Sequence, residues 1–442
     1  MVRSSPAVRW LAVAACCCCG ALAGGGDVRA AGFGVVENGA SGLGTAYAGA
    51  AAQARDGSTV FFNPAGMVAL DADQINVAGH LVWLESAYGD AGSTVFTGGP
   101  LIGTDGGDGG RTILIPNLFL VYGLTPRLKL GLGVSAPFGL KTEYDDGFVG
   151  RYHALNSELR TVNVNPSVAF GLTDWLSVGA GLNIQYADGE LTNAIDFGTI
   201  GTLFGVPGLV PQQSDGFAAI KGDDWSFGYN LGVLIEPRAG TRIGLAYRSR
   251  ITHELEGRAS FEVPPEAAQL TAGGAFTDTA ATAEVDLPET ASLGVAQRIG
   301  QRWTVLADVT WTNWSRFDEL RIRFASGQDD AVTVHDWHDS FRYGAGIAYA
   351  WSDALELRLG VAYDETPVPD RTRTPAVPDN DRLWLAAGLG YRLTERASLD
   401  LGYAHLFVED GDINLTDPVQ GNLRGATDNA ADMVGLQLNW RF

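Results

Sequence analysis

Two polar stretches contain the residue types from which enzymes build acid–base and metal sites. The first, HDWHD at 335–339, offers two histidines beside two aspartates. If the stretch is a strand, Asp336 and His338 share one face while His335 and Asp339 share the other. A hydrolytic or metal site needs several such groups to converge. A polar junction between a loop and a strand explains the same letters, and the sequence favours that interpretation.

The second stretch, GTDGGDGG at 103–110, could hold calcium, but an unrepeated Gly-Asp run is more typical of a flexible loop. The glycine pair Gly131 and Gly133 lies in a strand pattern with no helix after it, so it does not indicate a nucleotide site. Neither GxSxG nor HExxH occurs. The sequence therefore predicts no enzyme, no metal and no cofactor.

The composition narrows the class of protein. Across 442 residues the formal charge is −21, which argues against nucleic acid as a partner and against a helix docked on anionic lipid. Charged residues make up only 18%, while glycine numbers 58 and Trp plus Tyr are plentiful. These values suit an outer-membrane barrel with aromatic girdles. They also suit a secreted protein rich in β-structure, so composition leaves both open.

The N-terminus predicts export. Arg3 and Arg9 precede the apolar run WLAVAACCCCGALAGG, and Val28 and Ala30 occupy the small-residue positions of a cleavage site. We expect residues 1–30 to be a signal peptide that is cleaved near Ala30, which would remove all four cysteines. Lipidation at Cys16 is the alternative. After residue 30 no apolar run is long enough for a transmembrane helix.

From about residue 73 the chain repeats runs of alternating apolar and polar residues. The last run, MVGLQLNWRF, places every second side chain on one apolar face. Six short turns join twelve strands, and one strand on either side of them brings the count to fourteen. The turns lie near residues 125, 173, 239, 300, 352 and 394. The other connections are long: about 89–110, 142–157, 191–222, 258–281, 326–332, 367–380 and 411–426.

Short turns at one end and long loops at the other are typical of outer-membrane barrels. The sequence thus predicts an all-β membrane protein, with a 14-stranded antiparallel transmembrane β-barrel over 73–442. Residues 31–72 are rich in Ala and Gly and lack alternation. We expect them to form short helices and coil that plug a lumen too wide for side chains alone to fill. The aromatic pairs in WTNW (311–314) and YAW (349–351) are expected at the membrane interface.

The chain resembles the FadL/TodX family of outer-membrane transport proteins. The resemblance rests on AGF and SGLGTAYAG near the mature start, NPA at 63–65, DWSFGYNLGVLIE with RIGLAYRS over 224–249, and TPVPDRTRTPAVPDNDRLWLAAG at 366–388. It implies a 14-stranded barrel with an N-terminal hatch, carrying long-chain fatty acids or hydrocarbons. It also implies a monomer in the outer membrane of a Gram-negative bacterium, inserted by the barrel-assembly machinery and surrounded by outer-membrane lipid.

The resemblance further implies a route with three stations. An apolar loop would capture the ligand, a lumen pocket near Phe33 would hold it, and a kink in the third strand would release it sideways. The kink maps to Pro137, Phe138 and Gly139, and Pro137 cannot donate a ladder hydrogen bond. Exposed apolar residues in a loop mark binding. The loop residues are Phe197, Leu203, Phe204, Val206, Leu209 and Val210.

Each station has a plainer explanation. The loop could pack on the barrel rim, Phe33 could belong to a frayed terminus, and the third strand could simply end at Pro137. The hatch motif Asn63, Pro64 and Ala65 could be an ordinary turn. Trp440 and Phe442 are interpreted as the terminus that the assembly machinery reads.

The family's basic lumen positions fall near Asn193 and His338, neither strongly cationic at neutral pH. This favours neutral hydrophobic ligands. The sequence therefore predicts a passive, ligand-gated diffusion channel for hydrophobic small molecules. A barrel hydrolase at the rim, using His335 or His338, and a general porin are the alternatives.

Overall fold

The computed structural model describes residues 32–442. The predicted signal peptide and its cleavage site lie outside the described residues. In the described part, no helix is both long and apolar enough to span a bilayer.

Fourteen antiparallel strands form one closed barrel, as the sequence predicts. The first strand pairs with the last, from Gln74 opposite Arg441 to Asp90 opposite Gly425, so the sheet has no free edge at this seam. The strands are β1 Gln74–Asp90, β2 Thr112–Thr125, β3 Leu128–Ser135 and Gly139–Glu143, β4 Asn156–Gly171, β5 Leu176–Asp196, β6 Asp215–Arg238, β7 Thr241–Arg248 and Ile251–Glu262, β8 Thr279–Leu287 and Thr290–Ile299, β9 Trp303–Thr312 and Glu319–Phe324, β10 Ala331–Val334 and Ser340–Ala350, β11 Leu355–Asp364, β12 Arg382–Arg392, β13 Ala397–Val408 and Gly411–Asp417, and β14 Gly421–Arg441.

The strand alternation sorts side chains between lipid and lumen. On β14, Leu436, Leu438 and Trp440 are exposed on the outer face, whereas Gln437 and Asn439 are buried inside. The outer residues have no protein neighbour to cover them, so the apolar face meets lipid. This is the arrangement that the terminal alternation predicts.

All six predicted short turns join neighbouring strands. The prediction for 411–426 is wrong, because most of this stretch is strand: β13 continues to Asp417 and β14 begins at Gly421. The Asp417 carboxylate accepts hydrogen bonds from the amides of Val419 and Gln420, which closes a tight hairpin. Polar residues can extend a ladder beyond the membrane, and polarity alone therefore misled the assignment.

The N-terminal segment, residues 32–72, forms three one-turn helices and a 3₁₀ helix. Their bounds are α1 Ala40–Leu43, α2 Ala50–Gln53, α3 Thr59–Phe62 and the 3₁₀ helix Pro64–Ala69. The loop after β5 contains α4 Phe197–Leu203. The loops after β7 and β11 contain the 3₁₀ helices Pro265–Thr271 and Asp370–Thr372, and the bend in β9 contains the 3₁₀ helix Trp314–Arg316.

Glycines on the inner face of the wall allow the N-terminal segment to lie directly on the strand backbones. A Cβ atom on Gly244 of β7 would lie 1.9 Å from the Ala51 carbonyl oxygen, and one on Gly360 of β11 would lie 2.1 Å from the carbonyl carbon of Thr45. The same holds for glycines of β5 and β12, where Gly179 meets Ala65 and Gly388 meets Gly44. A segment that touches strands around the circumference lies inside the lumen.

Candidate functional site

A cavity of about 160 Å³ lies between the N-terminal segment and the barrel wall. One side of it is apolar and aromatic, formed by Val35, Val36, Tyr47, Phe61, Phe62 and Trp314. The other side is polar, formed by Asn230, Arg248, Asp308, Arg342 and Asp364. A cavity with an apolar wall and a few converging polar groups is the usual form of a small-molecule site.

An aromatic cluster adjoins the cavity and buries Phe33. The Phe33 ring lies 4.7 Å from the Trp314 ring and 5.3 Å from the Phe317 ring, both edge-on, and 5.5 Å from Trp337. Only 2% of Phe33 is exposed. The described N-terminus is therefore anchored rather than frayed, because edge-to-face ring contacts add to the burial of apolar area.

The partners of Phe33 come from two strands that bend inward. β9 is interrupted between Thr312 and Glu319, and β10 is interrupted between Val334 and Ser340. These bends carry Trp314 and Trp337 into the lumen, where both are buried. The expectation that WTNW belongs to the interfacial belt is thus wrong for Trp314, because strand alternation does not hold through the bend.

β3 is interrupted at residues 136–138, here called the β3 gap, and resumes at Gly139. Pairing with β2 stops at Val134, whereas pairing with β4 continues beyond the gap. The N-terminal segment fills the gap: the Val35 amide donates to the Pro137 carbonyl at 2.8 Å, and the Gly139 amide donates to the Phe33 carbonyl at 2.9 Å. The strand does not simply end at Pro137. Pro137 and Phe138 also line the cavity.

Thr161 of β4 satisfies both backbone groups of Phe138 in the β3 gap. Its hydroxyl accepts from the Phe138 amide at 3.0 Å and donates to the Phe138 carbonyl at 2.6 Å. Backbone that leaves the ladder at membrane depth persists only where protein or water satisfies it. Both the N-terminal segment and a neighbouring side chain do so here.

The apolar loop after β5 is partly packed and partly exposed. Phe197 and Leu209 are buried, and the Phe197 ring packs 5.0 Å from Phe276 of the loop after β7. Val206 is half-buried, whereas Leu203, Val210 and above all Phe204, 77% exposed, face solvent. The loop therefore has an anchored face and a free apolar face.

Asn193 and His338 do not line the cavity. The Asn193 amide donates to the Ala194 carbonyl at 2.8 Å, and His338 is exposed with Nδ1 3.1 Å from the Asp339 carbonyl. The basic groups at the cavity are instead Arg248 and Arg342. The signal that could have found them is register, because each arginine falls on the lumen-facing side of its alternating strand.

The two arginines differ in how fully they are bonded. Arg248 donates to Asn183 Oδ1 at 2.5 Å and to the Phe61 carbonyl at 3.0 Å, and its guanidinium lies 4.2 Å over the Phe61 ring. Arg342 donates to the Ala46 carbonyl at 2.6 Å and lies 4.0 Å from the Asp308 carboxylate. Within residues 32–442 its Nε meets no acceptor. Arg342 thus has a buried donor without a partner in this part of the chain.

Glu37 is a buried carboxyl group in the N-terminal segment. It is fully buried, and within residues 32–442 neither carboxyl oxygen has a hydrogen-bond partner. Burial raises the pKa of Glu37 from 4.5 to about 7, against the opposing effect of the nearby Arg342 and Arg382. This carboxyl group therefore titrates near neutral pH.

The motif Asn63, Pro64 and Ala65 connects the N-terminal segment to the wall. The Asn63 side-chain amide donates to the Ala51 carbonyl at 2.6 Å and to the Val233 carbonyl of β6 at 3.0 Å, and its oxygen accepts from the Ala65 amide. Pro64 begins the 3₁₀ helix. At the other end of the chain, Trp440 and Phe442 are exposed, and the Phe442 amide donates to the Asp73 carbonyl.

The HDWHD stretch does not assemble one site. His335 is buried against the Phe317 ring, Asp336 pairs with Arg371, and Asp339 accepts from the Trp311 indole at 3.0 Å. Among residues 32–442 no group of three or more potential metal ligands occurs. The four side chains of the stretch have separate partners, as expected of a polar junction.

These features together define an outer-membrane transport barrel: a closed barrel with a lipid-facing apolar surface, a filled lumen and an internal cavity. The chain belongs to the outer membrane protein transport protein family (OMPP1/FadL/TodX), whose sequence profile matches residues 21–442. The predicted family, fold and outer-membrane location are thereby confirmed.

Individual relatives agree over nearly the whole length. The chain is 30% identical to the long-chain fatty acid transport protein of Escherichia coli O6:H1, over 85% of this chain and 86% of the relative. It is also 30% identical to outer membrane protein P1 of Haemophilus influenzae, over 95% and 97%. The crystal structure of a Pseudomonas aeruginosa FadL homologue superimposes with a TM-score of 0.86 at 25% identity, covering 93% of this chain and all of that one.

Proposed function

We propose that this protein carries hydrophobic small molecules, such as long-chain fatty acids or hydrocarbons, passively across the outer membrane. The observation that carries the proposal is the lumen cavity, which has an aromatic wall and reaches the β3 gap through Pro137 and Phe138. Water-insoluble ligands gain free energy at apolar surfaces. A chain of such surfaces therefore moves them without covalent chemistry.

The route starts at the exposed apolar face of the loop after β5, around Leu203, Phe204 and Val210. The ligand then enters the cavity beside Phe33 and Phe138, and it leaves sideways through the β3 gap when Phe33, Gly34 and Val35 withdraw. Residues 31–72 act as the hatch, with Asn63, Pro64 and Ala65 as its hinge to the wall. Release requires that the two backbone bonds across the gap break.

The arginines extend the substrate class to anions. A ligand carboxylate beside Arg342 would pair with the guanidinium, whose Nε meets no acceptor within residues 32–442, in competition with the nearby Asp308 and Glu37 carboxyl groups. The preference for neutral ligands inferred from Asn193 and His338 does not apply, because neither residue is at the cavity. We therefore favour a long-chain fatty acid over an aromatic hydrocarbon.

Ligand competition on purified protein tests this preference. Palmitate should compete with a bound fluorescent fatty acid at lower concentration than toluene does, and Arg342→Gln should weaken palmitate about tenfold, because one charge-assisted hydrogen bond contributes ~1.5–3 kcal/mol. Arg298→Gln, at an exposed position outside the cavity, is the matched control. Equal weakening of palmitate and toluene by Arg342→Gln would contradict a carboxylate site.

The remaining expectations complete the proposal. The chain acts as a monomer in outer-membrane lipid after removal of residues 1–30, and the assembly machinery reads Trp440 and Phe442. It needs no cofactor. A general porin requires an open lumen, whereas residues 32–72 occupy this one, so planar bilayers should show little steady current.

A further inference from the structure

The wall between β6 and β7 is interrupted without any proline. Backbone pairing between β6 and β7 extends from the short turn near residue 239 to the pair Asn230–Arg248. Beyond that pair it stops, and it resumes at the pair Asp223–Glu256. Between these pairs lie Asp224–Tyr229 on β6 and Ser249–Leu255 on β7, here called the β6–β7 gap. β7 stays in register with β8 on its other side, so the gap is confined to one junction.

Side chains bridge the two strands within the gap. The Ser226 hydroxyl donates to the Thr252 carbonyl at 2.7 Å, and the Tyr229 amide donates to the Ser249 hydroxyl at 2.9 Å. The Asp224 carboxylate accepts from the Glu254 amide at 3.3 Å. The Ser249 amide also donates to the Tyr229 carbonyl. Rotatable side chains therefore hold this stretch together.

The β6–β7 gap lies at the outer leaflet. On the outer face of β6, Trp225, Phe227 and Tyr229 are exposed and aromatic, while Lys221 and Asp223 follow towards the long-loop end. A change from aromatic to charged residues marks the interface of an outer-membrane barrel. The outer side of the gap therefore faces the acyl chains close to the headgroups of the outer leaflet.

The lumen cavity reaches the lower edge of the gap. Asn230 and Leu231 of β6 and Tyr247 and Arg248 of β7, at the lower edge of the gap, all line the cavity. The same cavity is lined by Pro137 and Phe138 at the β3 gap. One cavity thus borders both interruptions of the wall.

Ile251 closes the β6–β7 gap. It is 3% exposed, and its side chain occupies the space over Gly228, where a Cβ atom would lie 2.7 Å from Ile251 Cγ1. The N-terminal segment bonds the lower edge of the gap, where the Val60 and Phe61 carbonyls accept from the Asn230 and Arg248 side chains. Opening it requires a change of the Ile251 rotamer together with breakage of the Ser226–Thr252 and Tyr229–Ser249 bonds.

The geometry points to a second side portal here: a hydrocarbon chain passes between the cavity and the outer leaflet through the β6–β7 gap, with Ile251 as the closing side chain. The inference rests on the proposed function, because it takes the occupant of the cavity to be a hydrophobic chain. It adds a path that does not require residues 33–35 to withdraw.

A reversible disulfide tests the portal. In Gly228→Cys/Ser249→Cys the bond should form readily, because a Cβ atom at 228 would lie 2.8 Å from the Ser249 hydroxyl oxygen. Cells that express the variant as their carrier should lose part of their palmitate uptake when oxidised and regain it with reductant. Recovery on reduction shows that the variant is folded. Ala345→Cys/Val361→Cys, a lipid-facing pair on the continuous β10–β11 ladder, should leave uptake unchanged.

Photolabelling with a diazirine analogue of palmitic acid supplies the second readout. The portal predicts labels on both 224–229 and 249–255, and loss of those labels in Ile251→Trp while labels near 136–138 persist. Normal uptake with the disulfide closed, together with labels confined to 33–36 and 136–138, would overturn the portal and leave the proposed function intact. Absence of wild-type uptake and of all lumen labels would overturn both.

Discussion

The β3 gap and the β6–β7 gap solve one problem by different means. Each takes backbone out of the ladder at membrane depth, and each borders the same cavity. At the β3 gap a separate piece of chain, residues 33–35, restores the missing bonds. At the β6–β7 gap the strands' own side chains restore them. The first closure therefore depends on how firmly the N-terminal segment is held, whereas the second depends on hydrogen bonds between the two strands themselves.

Phe33→Ala should separate the two gaps most strongly. It removes the ring that packs on Trp314, Phe317 and Trp337, and such a truncation costs ~3–5 kcal/mol. We expect hydrogen exchange at the amides of Val35 and Gly139 to accelerate at least ~100-fold, as ~3 kcal/mol implies. The Ser249 amide should be unaffected, and equal acceleration there would show that the gaps are coupled.

Glu37 should make the β3 gap sensitive to pH. Its pKa is raised in the folded state, so its stabilising contribution is complete below pH 4.5 and is lost as pH rises to about 7. Docking of the N-terminal segment should therefore weaken by up to ~3 kcal/mol between these limits. Exchange of the Val35 amide, corrected for intrinsic rates, measures this.

Glu37→Gln is the control for the pH prediction, because it keeps the shape and removes the titration. In the variant, the corrected exchange rate of the Val35 amide should not change with pH. The rate of the Ser249 amide should not change with pH in either protein. If the wild-type and the variant profiles coincide, another group controls the segment.

A matched pair of hydroxyl deletions compares the gaps at a smaller scale. Thr161→Val removes both bonds to Phe138, and Ser249→Ala removes the acceptor of the Tyr229 amide. Each should cost ~1–2 kcal/mol, and the two costs should add, since the sites share no partner. Exchange of the Phe138 and Tyr229 amides should rise only in the respective variant. A non-additive double variant would contradict independent closure.

Phe204→Ser should have the smallest effect on the fold. The side chain is 77% exposed, so the free energy of unfolding should change by no more than ~0.5 kcal/mol. A thermal melt measures this. Uptake at limiting palmitate should fall because the capture surface is less apolar, while uptake at saturating palmitate should not. A loss at saturation would place Phe204 later in the route than the loop.

The two gaps also mark what the sequence could predict. The interruption of β3 could be expected because Pro137 has no amide hydrogen to donate. The β6–β7 gap could not, because DWSFGYN alternates without fault and its bonds pass to Ser226 and Ser249, residues common in any strand. The position of Trp314 was also mispredicted, because alternation cannot distinguish an aromatic residue at the interface from one that a bend carries inward.

The barrel itself was predictable because the alternation that marks each strand lies within one short run of consecutive residues. The cavity was not, because Arg248 and Arg342, which both line it, come from strands far apart in sequence. Without a register for the whole barrel, the rough family matching pointed to Asn193 and His338, which lie elsewhere.

The glycines that let the N-terminal segment lie on the strand backbones have a consequence for evolution and engineering. Because the Ala51 carbonyl lies against Gly244 and Thr45 lies against Gly360, the N-terminal segment and the wall are complementary in shape. A chimera that exchanges residues 32–72 with a relative should fold only if the matching inner glycines travel with them. Substitutions in this family should therefore accumulate in such pairs, and a substitution in only one member of a pair should be selected against.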